Sequence, residues 1–224
     1  MLIDLDLRGK TVLIVGGGKV GERKAVKFSA AGAKVVVASK GFTERVKQLG
    51  DEGKLQLVNV DLEMNPPSID SWISNADLVI AATNDREINA HIAEETKKKR
   101  THTNVVDNPQ LGDFTLPVVS RVGEFHIAIS TGGKSPAMAK LLRRKVEGII
   151  SEEDVLMVRL QSYARELAKV HISNQRFRKR VLYKIMRDSG IRRLLKQSNF
   201  QEAKIRTNHI IKTYEKSARN GRVP

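Results

Sequence analysis

The fold of this chain is decided by the stretch TVLIVGGGKVGERK, residues Thr11–Lys24. Its apolar residues run directly into three glycines, which predicts a buried parallel strand that ends in a tight turn. Gly16, Gly18 and Gly21 have the spacing G-x-G-x-x-G, in which the glycines allow the turn, the approach of a pyrophosphate and close packing of the next helix. A helical pattern over 20–31 follows, so the stretch predicts a dinucleotide-binding α/β unit. A glycine-rich turn without a ligand is the alternative.

A second apolar run, residues 34–38, predicts the neighbouring strand, and Ser39, Lys40 and Gly41 follow it. An NAD site usually carries Asp or Glu at this point to bind the ribose 2′-hydroxyl. Here Ser39 can hydrogen-bond a hydroxyl, whereas Lys40 can accommodate a 2′-phosphate. All three residues are predicted to bind the cofactor, and they leave the choice between NAD and NADP open.

Three further apolar runs predict strands of the same parallel sheet at residues 55–60, 78–82 and 102–106. Thr83 and Asn84 follow the fourth strand, at the edge where open α/β sheets bind ligands, so both are predicted to contact the cofactor. Either Asn84 or Asp85 also caps the next helix. Asp107 follows the fifth strand and is a candidate general base. The sequence Asp-Asn-Pro also starts turns, and on local sequence alone that alternative is favoured.

The pattern changes after the fifth strand. Residues 114–121 and 124–131 alternate around Gly123, which predicts a β-hairpin. The loop TGGKSP at 131–136 then leads into a helix, and its glycines, lysine and helix N-terminus form a candidate anion site. A plain helix cap is an equally good interpretation of that loop. Helical patterns follow at about 152–169, 174–188 and 199–216, with breaks expected near Gly190 and Asn199.

Charge and composition narrow the function classes. The formal net charge is +15, and residues 151–224 carry 18 Lys and Arg against 7 Asp and Glu. That basic C-terminal part could bind nucleic acid, anionic lipid or a polyanionic small molecule. The absence of cysteine excludes disulfides, thiol catalysis and iron–sulfur ligation. No apolar run approaches the length of a membrane span, and the acidic start of the chain is unlike a signal peptide, so a cytoplasmic protein is expected. The five histidines lack metal-ligand spacing, and no metal site is predicted.

Four stretches together resemble one family, the precorrin-2 dehydrogenases that form the NAD-dependent module of siroheme synthases. They occur in the family's order and at close to its spacing, as VGGGKVGERK at 15–24, AATND at 81–85, NVVDNP at 104–109 and ISTGGKSP at 129–136. A generic dehydrogenase would share only the first. The resemblance covers residues 1–150, and the C-terminal part matches in helical character alone.

The resemblance implies an α/β fold in three parts. They are a Rossmann-type parallel-sheet domain at 1–113, a small hairpin and helix dimerisation segment at 114–150 and a basic helical domain at 151–224. It further implies a homodimer that oxidises precorrin-2 to sirohydrochlorin with NAD in siroheme biosynthesis. Some members also insert Fe²⁺ into sirohydrochlorin, and the sequence leaves that activity open.

The resemblance also assigns site residues. Asp107 falls on the family's catalytic aspartate, which reverses the preference drawn from local sequence. Lys19, Val20, Lys40 and Gly41 fall on cofactor-contacting positions. The predicted substrate contacts are Thr131, Gly132, Lys134 and Ser135, and Thr131 replaces a serine found in some members.

The basic helices then have a partner, because precorrin-2 is ringed by carboxylates that a cationic surface would hold. The competing interpretation is a regulatory protein that senses NAD(H) and contacts nucleic acid through the same helices. It is less favoured because the C-terminal part shows no recognition-helix motif and aromatic residues are only 4% of the chain. The expected partner is therefore the polycarboxylate substrate, and neither a membrane nor nucleic acid is expected to bind.

Overall fold

A computed structural model describes residues 2–61 and 69–219 of the chain, with side chains described as far as residue 217. The chain forms two compact units that divide between Leu116 and Pro117. No described helix is both long and apolar enough to cross a bilayer. The three-part division at residues 113 and 150 stays a prediction.

The first unit is a five-stranded parallel sheet with helices between its strands. The strands are β1 Thr11–Val15, β2 Lys34–Ser39, β3 Gln56–Asn59, β4 Leu78–Ala81 and β5 His102–Val105. The helices are α1 Lys19–Ala30, α2 Glu44–Asp51, α3 Asp70–Ser74 and α4 Arg86–Lys98. The strand order is β3-β2-β1-β4-β5, so the chain reverses direction across the sheet between β1 and β4. Ligands of open α/β sheets bind at the carboxyl ends of the strands beside such a reversal.

Both faces of this sheet are covered, which explains why its strands are continuously apolar. In β1, Val12 and Ile14 belong to the core on one face, and Leu13 and Val15 belong to the core on the other. All four are at most 1% exposed. A strand buried on both sides has no polar alternation, and this is the pattern from which the sequence predicted a parallel sheet. The predicted fold class is confirmed.

The second unit contains a hairpin followed by five helices. The elements are β6 Val118–Val122, β7 Phe125–Ile129, α5 Pro136–Ile149, α6 Glu152–His171, α7 Gln175–Arg187, α8 Ser189–Lys196 and α9 Phe200–Arg219. The hairpin is antiparallel and turns at Gly123, which has φ +56°. Helices α6 to α9 bury a common apolar core that includes Leu160, Ile185, Ile191 and Ile211.

One prediction about these helices is wrong, because Gly190 lies inside helix α8 rather than in a break. Asp188 begins α8 by accepting a hydrogen bond from the backbone N–H of Ile191 at 2.9 Å. The Arg206 guanidinium donates two hydrogen bonds to the same carboxylate and lowers the pKa of Asp188. A Cβ on Gly190 would lie 2.7 Å from the Arg206 guanidinium carbon, so glycine at this position leaves room for the ion pair.

Candidate active site

A cleft of about 770 Å³ opens at the carboxyl ends of the parallel strands, and we call it the glycine cleft. It is lined by residues 16–20, 38–41, 60–61, 82–85 and 88. The sequence predicted ten cofactor-binding residues, and nine of them line this cleft: Gly16, Gly18, Lys19, Val20, Ser39, Lys40, Gly41, Thr83 and Asn84. The tenth, Gly21, is buried in α1 behind the cleft wall.

Two of the motif glycines are required by the fold itself. Gly16 has φ +116°, and a Cβ there would overlap the carbonyl of Ala82. A Cβ on Gly21 would overlap the carbonyl oxygen of Gly16, so a side chain at this position would force α1 away from the turn. These two positions explain how the strand, the turn and the helix pack so closely.

Gly18 differs, because neither its backbone angles nor its surroundings demand glycine. Its φ is −77°, and a Cβ built there meets no atom within 4 Å. The same open space surrounds Gly41. Both positions line the glycine cleft, so a side chain at either would fill space that the protein leaves free.

The N-terminus of α1 also faces this space without a side-chain cap. By contrast, Asp85 caps α4 and Ser151 caps α6. Uncapped N–H groups at a helix N-terminus, next to glycines that admit close approach, match what a pyrophosphate needs. The residues present therefore fit a dinucleotide cofactor.

The cleft also contains Ser39 and Lys40, the two residues whose chemistry bears on the predicted choice between NAD and NADP. Ser39 Oγ accepts a weak hydrogen bond from the backbone N–H of Gly41 at 3.4 Å. Lys40 follows β2, and Asp61 follows the neighbouring strand β3 and also lines the cleft. The sequence analysis did not single out Asp61. Its position two residues after β3 was the available signal, because polar residues after parallel strands collect at one edge of the sheet.

Asp107 lies just beyond the glycine cleft and is tied to its wall. Its side chain is 29% exposed. Asn89 Nδ2 donates a hydrogen bond to Asp107 Oδ1 at 2.9 Å. Asn89 Oδ1 accepts from the backbone N–H of Thr83 at 3.1 Å, and Thr83 lines the cleft. Arg86 Nε lies 4.0 Å from Asp107 Oδ2, on a side chain that is 91% exposed.

The turn after β5 is formed by the neighbour of Asp107. Asn108 Oδ1 accepts from the backbone N–H of Gln110 at 3.3 Å, and the Asn108 carbonyl accepts from Leu111 N at 3.1 Å. The turn signal of Asp-Asn-Pro therefore belongs to Asn108, and the Asp107 carboxylate faces Asn89 instead.

Of the two residues predicted to cap α4, Asp85 rather than Asn84 does so, by accepting a hydrogen bond from Glu87 N at 2.7 Å.

The predicted substrate contacts lie in the second unit, in the loop before α5. Thr131 Oγ1 accepts from the backbone N–H of Ser135 at 2.9 Å, and Ser135 Oγ accepts from Met138 N at 3.3 Å. Gly132 and Gly133 have φ +60° and +80°, in the left-handed region that favours glycine. The helix cap is therefore present, and it leaves Lys134 exposed on a tight turn.

The second unit also contains a strongly basic cleft of about 670 Å³, which we call the basic cleft. It is lined by Arg176, Lys179, Arg180, Tyr183, Lys184, Arg187 and Tyr214. Helix α7 carries no acidic residue. Its sixth cation, Arg178, donates instead to the carbonyls of Ile172 and Ser173. No metal-binding cluster of three or more His, Asp or Glu side chains occurs among residues 2–61 and 69–219.

Two family models match the chain. The one described as "Putative NAD(P)-binding" covers residues 3–118, and the one described as "Sirohaem biosynthesis protein central" covers 127–148. A solved structure titled "SirC, precorrin-2 dehydrogenase" has a TM-score of 0.72 over 93% of this chain and 99% of its own, at 22% identity. At that identity the match shows a shared fold.

Sequence relatives extend the match. A precorrin-2 dehydrogenase from Methanosarcina barkeri is 37% identical over 94% of this chain and 92% of its own length. Siroheme synthase 2 from Yersinia pseudotuberculosis is 32% identical over 88% of this chain, which spans only 40% of that longer protein. Siroheme synthase from Salmonella arizonae is 38% identical over 65% of this chain and 31% of its own. Matched over nearly the full length of the first relative, and with the fold and cleft described above, the chain belongs to the precorrin-2 dehydrogenase family.

Proposed function

We propose that the chain oxidises precorrin-2 to sirohydrochlorin with NAD⁺, a step of siroheme biosynthesis. The observation that carries this proposal is the glycine cleft with a carboxylate, Asp107, linked to its wall through Asn89 and Thr83. Family membership supplies the substrate and the reaction, and the cleft supplies the place for the cofactor. No feature of the described residues favours the regulatory alternative.

The chain's own residues bind and orient the cofactor. Gly18 and Gly41 leave room for the pyrophosphate, and the uncapped N–H groups of α1 stabilise its charge. Lys19 and Val20 contact the cofactor at the start of that helix, and Ser39 Oγ accepts a hydrogen bond from a ribose hydroxyl. When bound, NAD⁺ accepts a hydride. Asp61 lines the same cleft as Lys40, and its carboxylate would repel a 2′-phosphate, which supports NAD rather than NADP as the cofactor.

Asp107 accepts the proton that the reaction releases. Precorrin-2 loses one hydride and one proton, and hydride loss from a reduced ring carbon leaves positive charge on the adjacent pyrrole nitrogen. A carboxylate next to that nitrogen stabilises the charge and then accepts the N–H proton.

Cationic groups of the second unit bind the carboxylates of the substrate. Lys134 supplies an ammonium group on its tight turn, with Thr131, Gly132 and Ser135 as neighbouring contacts. The cations of the basic cleft face solvent without an acidic partner among the described residues, so they suit a polycarboxylate. The cytoplasm is the expected location.

The exposed sheet of the second unit supports assembly as a homodimer. Among the described residues, strands β6 and β7 pair only with each other, so each has an unpaired edge. Several apolar side chains of β6 and α5 are also exposed: Val119, Met138, Leu141, Leu142 and Ile149. A second copy related by a two-fold axis can pair these edges and cover these side chains.

The test is turnover by the purified protein. Precorrin-2 and NAD⁺ are supplied, and sirohydrochlorin and NADH are followed by their absorbance. Equal amounts of the two products are expected, with NADP⁺ a poorer acceptor. Failure to form sirohydrochlorin, together with salt-sensitive retardation of DNA that responds to NADH, would instead support the regulatory protein.

A further inference from the structure

We propose that Asn89 is a positioning residue for this reaction: its side-chain amide holds the Asp107 carboxylate in one orientation and links it to Thr83 in the wall of the glycine cleft. The inference rests on the proposed role of Asp107 as the group that accepts the proton. Neither the sequence pattern nor the family resemblance pointed to Asn89.

The orientation of the amide follows from its partners. The backbone N–H of Thr83 can only donate, so the Asn89 atom 3.1 Å from it must be the oxygen. The amide nitrogen then faces the Thr83 carbonyl at 3.2 Å and Asp107 Oδ1 at 2.9 Å. Both of its hydrogens are used. The oxygen also lies 2.8 Å from the Thr83 hydroxyl.

A buried asparagine within a helix needs an explanation. Asn89 is 1% exposed and lies four positions into α4, where asparagine is a poor helix former. The start of α4 is already capped by Asp85, so Asn89 is not needed there. Burying an amide is costly unless every hydrogen bond is made. An apolar residue could reproduce neither the hydrogen bonds to the Thr83 backbone nor the contact with the partly exposed Asp107 carboxylate, and only the second of these reaches a candidate catalytic group.

The contact distinguishes the two oxygens of Asp107. Oδ1 is held by Asn89, whereas the only partner of Oδ2 within residues 2–61 and 69–217 is the exposed Arg86 side chain at 4.0 Å. Oδ2 is therefore the oxygen left to accept a proton from the substrate. Because a catalytic group displaced by about 1 Å can cost on the order of 10²-fold in rate, a free carboxylate would be a poorer base.

The first test is Asn89→Asp, which keeps the shape of the side chain and its acceptor oxygen but replaces the donor. The kcat for sirohydrochlorin formation is expected to fall by about 10²-fold, while the KM for precorrin-2 and the affinity for NAD⁺ are unchanged. Asn89→Ala is measured beside it and should also lose kcat, because it removes the donor without placing a second carboxylate beside Asp107. An unchanged kcat in a folded variant would overturn the inference.

The second test is a double-mutant cycle. Because Asn89 acts through Asp107, Asn89→Ala, which adds no charge beside Asp107, should have no further effect on kcat in an Asp107→Ala background. An equal loss in both backgrounds would mean that Asn89 is structural, and the dehydrogenase function would still stand. If Asp107→Ala alone keeps wild-type turnover, the role of Asp107 and the inference are both wrong.

A matched control comes from the same helix. Thr96 is fully buried, and its hydroxyl donates to the Ala93 carbonyl at 2.9 Å. Thr96→Val also removes a buried hydrogen bond at constant shape, and it should lower the melting temperature without lowering kcat. A loss of kcat equal to that of Asn89→Asp would show that any damage to α4 slows the reaction, which would also overturn the inference.

Discussion

At the residue scale, the glycines of the motif are needed for two different reasons, close packing and access of the cofactor, and substitution separates the two. Gly18→Val should fold normally and lose NAD⁺ binding, because its side chain enters open space in the glycine cleft. Gly21→Val should lower the melting temperature or prevent folding, because its Cβ overlaps the Gly16 carbonyl. Thermal unfolding and an NAD⁺ titration measure both effects. Unaltered NAD⁺ affinity in a folded Gly18→Val protein would mean that the cofactor does not bind in the glycine cleft.

Lys24, in the first unit's motif helix, gives a prediction about pH. Burial, with Arg23 and Lys27 adding repulsion, lowers the pKa of Lys24 from 10.5 to about 8. The unfolded chain therefore binds this proton more tightly than the folded protein does. Protonated Lys24 destabilises the fold, and the free energy of unfolding rises as the pH increases from about 8 to 10.5. Lys24→Met should melt higher than the wild type at pH 7, with a gap that narrows towards pH 10. Lys212→Met, at an exposed lysine of α9, is the control. A difference in melting temperature that does not depend on pH, or one that Lys212→Met also shows, would contradict this prediction.

Much of the site could be predicted from residues that follow strands, but the hydrogen-bond network could not. Asp107 was found because parallel strands deliver their next residues to one edge. Asn89 was missed although a signal existed: it falls at the start of the stripe Asn89, Ile92, Ala93 and Thr96, which is buried in α4. A polar residue on an apolar stripe suggests a buried partner, but only the folded chain shows which partner it is.

At the element scale, the cations of α7 should bind precorrin-2 because of where they lie in the basic cleft, and not only because they add to the net positive charge. Arg180→Glu combined with Lys184→Glu should raise the KM for precorrin-2 by about 5- to 30-fold, the effect of losing 1–2 kcal/mol of binding. Arg165→Glu combined with Arg193→Glu makes the same change in net charge at exposed residues outside the basic cleft. Equal effects of the two pairs would mean that only the overall field matters.

Element boundaries show where periodicity is insufficient. The hairpin around Gly123 and the five parallel strands were predicted because their apolar patterns are regular. Helix α8 was missed because Gly190 was taken as a break, whereas the cap at Asp188 and the buried Ile191 and Leu195 make it a helix. A glycine inside a helix looks like a terminator until the neighbour that needs its space, Arg206, is known.

At the scale of the whole molecule, the exposed apolar side chains of the hairpin and α5 predict a homodimer in solution. Met138→Glu combined with Leu142→Glu should give a monomer, since both side chains are about half exposed in one copy. Val170→Glu is the control, because Val170 is 80% exposed on α6, outside that surface. Light scattering or sedimentation measures the mass. A monomeric, fully active wild type would contradict the prediction.

The decisive experiment is the turnover of Asp107→Ala with precorrin-2 and NAD⁺. Sirohydrochlorin formation should fall by about 10²- to 10⁴-fold, the usual contribution of a positioned general base. NAD⁺ affinity should stay near that of the wild type, because the cofactor is held by other residues. The protein should stay folded, because Asn108 forms the turn, and the melting temperature should fall only by the effect of the one hydrogen bond that Asn89 loses. A folded Asp107→Ala protein with wild-type turnover would contradict the account.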